Sequence, residues 1–152
     1  MHRLALGCLC LIACGGQDGL PISGDLVLGV GSDVITPTVG AGIRDSDQDK
    51  ILIVIGTRDI SCQTNLQSPL RKGTYVTMVI DPVAGAQPAA QVTVVRVDSS
   101  GTLFNGGPDE VTIDVVDDRI AGSVDFVTTD ETDEGPIDLS VTGTFDVDNC
   151  LL

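Results

Sequence analysis

Residues 137–147 switch between apolar and polar with period two. Ile137, Leu139, Val141, Gly143, Phe145 and Val147 fall on one side, and Asp138, Ser140, Thr142, Thr144 and Asp146 on the other. Successive side chains of a strand point to opposite faces, whereas a helix repeats about every 3.6 residues. The pattern therefore predicts a long strand with one face buried, and a fold able to cover that face.

The same period recurs upstream. Ile120, Gly122, Val124 and Phe126 alternate with Arg119, Ala121, Ser123 and Asp125, and Val111, Ile113 and Val115 with Thr112 and Asp114. Asp117-Asp118 between these runs predicts a tight hairpin turn. Val76, Met78 and Ile80 alternate with Tyr75, Thr77 and Val79, and Leu26, Leu28 and Val30 mark an entry strand. Residues 51–55 are continuously apolar, which predicts a strand covered on both faces. Val92 and Val94 give way to Val95 and Val97, a change of face that suggests a bulge. Outside the N-terminus no window shows helical periodicity. Residues 84–90 are Ala-rich, but Gly85 and Pro88 predict a loop.

These signals predict one all-β domain over residues 25–152, an antiparallel β-sandwich or barrel of about eight strands. Gly122-Ser123-Val124-Asp125-Phe126 and Gly143-Thr144-Phe145-Asp146-Val147 match in type position by position. A glycine inside a strand marks a bend or a close backbone approach. Two at equivalent places suggest neighbouring strands that curve together.

Charge narrows the function. The chain carries a formal net charge of −14, and Arg119 is the only base after Asp98. Such a surface repels phosphates, which argues against a nucleic-acid partner. Residues 128–135, Thr-Thr-Asp-Glu-Thr-Asp-Glu-Gly, read as a solvated acidic loop.

The first thirteen residues have the layout of a secretory signal, with His2 and Arg3 before an apolar run from Leu4 to Ile12. That run is too short to span a bilayer of about 30 Å as a helix. Leu11-Ile12-Ala13-Cys14 resembles the lipobox of bacterial lipoproteins. The resemblance implies cleavage before Cys14 and a diacylglyceryl group on its sulfur. More than one acyl chain makes a stable anchor, at about 0.8 kcal/mol per buried CH₂. Gly15 after the cysteine implies, in a Gram-negative envelope, export to the outer membrane. Residues 14–24 then read as a flexible tether close to the membrane. The Gly143-Thr144-Phe145-Asp146 run and Cys150 also resemble the last strand of uncharacterised bacterial lipoproteins. That likeness covers about the last third of the chain and carries no activity.

With residues 1–13 removed, His2, Cys8 and Cys10 are lost, leaving Cys14, Cys62 and Cys150. If Cys14 is lipidated, the two remaining thiols of an exported protein are expected to form a Cys62–Cys150 disulfide.

Chemistry is thin in what remains. Without a histidine, Ser-His-Asp, Cys-His and zinc-histidine sites are excluded. Paired carboxylates could hydrolyse glycosides, but the only aromatic residues are Tyr75, Phe104, Phe126 and Phe145. Asp45, Asp47 and Asp49 have the spacing of a calcium loop, yet Lys50 stands where that loop needs Gly and Gly56 where it needs Glu. A polar turn with no metal is expected there, and no cofactor elsewhere. The sequence thus predicts a lipid-anchored cell-envelope protein with no enzymatic activity, a binding or structural module whose protein or small-ligand partner it does not name. The alternatives are a lipocalin-like carrier of a small apolar ligand and a carboxylate-only hydrolase.

Overall fold

The computed structural model describes residues 19–44, 49–64, 70–88, 90–98, 102–103, 110–133 and 135–150. Among these residues there is no helix, and eleven strands form one sheet. They are β1 (Val27–Val30), β2 (Asp33–Ile35), β3 (Val39–Arg44), β4 (Ile51–Gly56), β5 (Gly73–Ile80), β6 (Gly85–Gln87), β7 (Gln91–Val97), β8 (Thr102–Leu103), β9 (Glu110–Val116), β10 (Arg119–Thr132) and β11 (Gly135–Asn149). Sheet order is β6-β9-β10-β11-β3-β4-β5-β7-β8, with β1 added to β11 and β2 to β1. All strand pairings are antiparallel except β11 with β3, which meet in parallel at Asp148–Ala41 and Asn149–Gly42.

The expected all-β class is the one the chain adopts. Its eight longer strands are joined by three additions of two or three residues, β2, β6 and β8. The sheet curls into a half-barrel. Side chains from β1, β9, β10 and β11 thereby meet those of β4, β5 and β7 in one core. Leu28, Val30, Leu139, Val141, Phe126 and Phe145 pack there with Ile53, Ile55, Val76, Met78 and Val92. Burying each such side chain stabilises by about 1.5–3 kcal/mol.

Strand β4 is covered on both faces, as its unbroken apolar run predicts. Ile51, Ile53 and Ile55 enter the main core, while Val54 enters a second cluster with Ala41, Ile60 and Tyr75. That second cluster also explains β7. Val92 and Val94 face the main core and Val95 and Val97 the second cluster, with unbroken register against β5. No bulge is needed there. The irregularity lies instead between Ala121 and Gly122, where β10 slips against β9.

Three further expectations are corrected. Residues 128–132 are the end of β10, paired with the start of β11, so the acidic segment is a hairpin ribbon rather than a loop. Within residues 84–90, Gly85–Gln87 form β6 against β9. There Gln87 is buried, accepts from the Asp81 N–H at 3.0 Å and donates to the Val83 carbonyl at 2.7 Å. Those bonds hold the turn in place of an apolar anchor. Residues 19–24, expected as the end of a free tether, are stitched into the sheet. Gly19 bridges to Ile60, Pro21 to Val39 and Ser23 to Asp146. The hairpin turn at Asp117-Asp118 is as expected, with Ile120 opposite Val116.

Candidate functional site

Among the described residues, two surface hollows are lined largely by polar side chains. The first lies where the chain entering β1 runs along β11. Two glycines permit that approach. Gly24 and Gly143 have φ of 112° and 116°, a region disfavoured for residues with a Cβ. A Cβ on Gly24 would stand 2.2 Å from the Thr144 carbonyl oxygen, and one on Gly143 2.7 Å from that of Asp25.

The approach forms a clamp. The Asp25 carboxylate accepts from the Thr144 hydroxyl at 2.6 Å and from the Thr144 N–H at 2.7 Å. The Thr144 hydroxyl oxygen accepts in turn from the Asp25 N–H at 3.3 Å. Hydrogen bonds to a carboxylate favour its charged form. The Thr144 hydroxyl, followed by its N–H, therefore holds the Asp25 pKa below the ordinary value of 3.8. Around the clamp, Asp25, Thr112, Ser123, Asp125, Thr142 and Thr144 line a hollow of about 400 Å³. Its hydroxyls and carboxylates can bind by hydrogen bonding. An Asp25 kept ionised is unsuited to donate a proton as a general acid.

The second hollow, of about 310 Å³, lies at the end of β4 and is lined by Thr38, Val39, Thr57, Arg58, Asp59 and Arg71. Backbone and side-chain bonds fix its walls. The Thr57 N–H donates to the Thr74 carbonyl at 3.2 Å, the Thr74 N–H to the Thr57 hydroxyl oxygen at 3.3 Å, and the Tyr75 hydroxyl to the Arg71 carbonyl at 2.8 Å. Asp59 takes a left-handed φ of 57°, a conformation aspartate tolerates. Its carboxylate lies 3.3 Å from Arg71. Burial raises the Tyr75 pKa above 10.0, helped by the charge of Asp59.

Of the residues singled out by sequence, Cys62 and Cys150 are joined, with an S–S distance of 2.08 Å and a Cα separation of 5.3 Å. The bridge fastens residues 57–64 to the chain just past β11, beside the Cys150 N–H, which donates to the Gly42 carbonyl at 2.9 Å. Cys14, Asp45 and Asp47 lie outside the described residues. Asp49 is described and exposed, and its neighbour Lys50 is ion-paired with Asp81. Among the described residues no group of three His, Cys, Asp or Glu side chains is placed to hold a metal ion.

Sequence reasoning missed Asp25, Thr144, Arg58 and Arg71. Gly143 inside an alternating strand was the available signal for the first two. Nothing in the spacing of the two arginines pointed to a shared hollow. Comparison with protein-family models, curated proteins and solved structures finds no match to this chain.

Proposed function

We propose that the protein is a lipid-anchored cell-envelope protein, attached through Cys14, whose β domain is a non-enzymatic binding or structural module. The Cys62–Cys150 bridge is the observation that carries this reading. Structural disulfides belong to oxidising compartments, which fits export. The bridge also leaves Cys14 as the one cysteine after the apolar leader with no partner required of it. The polar hollow around Asp25 and Thr144 offers such a module a hydrogen-bonding surface.

Packing supports this reading over the carrier alternative. Phe126, Phe145, Met78 and the aliphatic side chains around them pack against one another between the two wings of the sheet as one buried cluster. A carrier would need open volume along those faces.

The experiment is acyl labelling and fractionation of cells making the wild-type chain or Cys14→Ser. The wild type should incorporate labelled palmitate and sediment with membranes, and the variant should do neither. Membrane retention of Cys14→Ser, or a wild type without acyl mass, would overturn the anchor.

A further inference from the structure

We infer that Arg58, Arg71 and Lys72 form a contact surface for anionic phospholipid headgroups, which holds this end of the domain against the bilayer. The inference rests on the lipid-anchor reading and adds an orientation to it.

The first observation is electrostatic. In a chain with 22 acidic and 8 basic residues, a base is expected to find a carboxylate. Lys50 pairs with Asp81, Arg96 with Asp33, and Arg119 with both Asp146 and Asp148. Arg58 and Lys72 are exposed and meet no carboxylate among the described residues. Arg71 is 76% exposed in its side chain and pairs with Asp59 at 3.3 Å. Among the basic side chains described, the positive charge left exposed without a full carboxylate partner thus falls on Arg58, Arg71 and Lys72, the first two lining the hollow at the end of β4.

The second observation is where the chain enters. Gly19 bridges to Ile60, and the Leu20 N–H donates to the Ile60 carbonyl at 2.7 Å, two residues along from Arg58. From residue 14 to Gly19 the chain can span at most about 18 Å. A lipid on Cys14 therefore keeps this basic end within reach of the headgroups, while the net charge of −14 drives the rest of the domain away from an anionic surface. Each basic residue near such a surface gains about fivefold in local partitioning. The Cys62–Cys150 bridge keeps the segment carrying Arg58 in place.

Lysine acetylation read by mass spectrometry tests the orientation. The chain has two lysines, Lys50 before β4 and Lys72 beside the far end of that strand, so one serves as control for the other. Every described strand and core side chain lies within residues 19–150, so a chain beginning at position 14 retains them. That chain, with Cys14→Ser and a hexahistidine in front, is held on nickel-chelating vesicles of phosphatidylcholine, with or without phosphatidylglycerol. The artificial anchor makes the result independent of acylation at Cys14, which the palmitate labelling reads separately. Lys72 should be acetylated severalfold more slowly on the phosphatidylglycerol vesicles, with Lys50 unchanged. High salt or Arg58→Glu with Arg71→Glu should remove the protection. Equal Lys72 rates on both vesicles, or equal slowing of both lysines, would overturn the inference. So would protection of Lys72 by inorganic phosphate on phosphatidylcholine vesicles at matched ionic strength, which would mark a soluble-anion site instead.

Discussion

Gly122 stands opposite Phe145 in the β10–β11 register, and a Cβ on residue 122 would lie 3.1 Å from the tip of the Phe145 ring. The same Cβ would stand 2.4 Å from the Thr112 carbonyl oxygen of β9, a backbone atom that cannot rotate away. The glycine thus gives the largest side chain of β11 room at the point where β10 slips against β9.

Gly122→Ala should therefore destabilise the domain although alanine is small and common in cores. Overpacking a filled site costs about 1–3 kcal/mol. Urea unfolding of the variant should show a lower midpoint with an unchanged slope. A neutral result would mean that β9 shifts freely at this point.

The Asp25–Thr144 clamp carries a pH signature. A carboxylate held below its ordinary pKa contributes stability that is complete above 3.8 and is lost as pH falls through the lowered value. In Thr144→Val, the Asp25 pKa should rise toward 3.8, and the acid limb of the stability profile should flatten. NMR titration of the Asp25 carboxyl carbon in both proteins checks the direction. An unchanged Asp25 titration would show that the clamp does not form in solution.

Arg119 joins Asp146 and Asp148, with side chains about one third exposed. Replacing it by leucine leaves two carboxylates side by side on one face of β11. The expected loss is about 1 kcal/mol, discounted for solvent screening, and it should shrink with added salt. Thermal melts of Arg119→Leu at low and high ionic strength measure both effects.

Reduction of Cys62–Cys150 should act on the unfolded chain more than on the fold. Closing a loop with a sequence separation of 88 stabilises by about 4–5 kcal/mol in the chain-entropy description. Denaturant unfolding with and without reductant should show a loss of this order, and the double variant Cys62→Ser, Cys150→Ser should match the reduced protein. A loss near zero in both would indicate that the open chain is already held compact.

The strands that border the core were legible because burial imposes alternation, as in residues 137–147, or an unbroken apolar run, as in residues 51–55. The 128–132 end of β10 escaped notice because it extends past the core. Backbone pairing, helped by the Thr129 hydroxyl on the Asp138 carboxylate and the Thr132 hydroxyl on the Gly135 carbonyl, keeps it extended, so Thr, Asp and Glu serve there in place of apolar side chains. The bulge was expected in β7 because a second cluster on the outer face mimics a change of side. Both hollows escaped for another reason. Asp25 and Thr144 are 119 residues apart, and their contact depends on two glycines whose conformations no local pattern reveals. The disulfide was legible because the expected removal of residues 1–13 and lipidation of Cys14 leave only Cys62 and Cys150 to pair, not because its geometry was.

The last strand in the sequence is the middle of the sheet. β11 joins β10 on one side and both β1 and β3 on the other. During synthesis, β3-β4-β5-β7 and β9-β10 can each pair early, but they remain two separate fragments, with the β1–β2 hairpin attached to neither by strand pairing. Only the arrival of β11 unites them. A truncation that removed β11 would not trim an edge: it would leave the β3–β7 fragment, the β9–β10 fragment and the β1–β2 hairpin with no strand pairing among them.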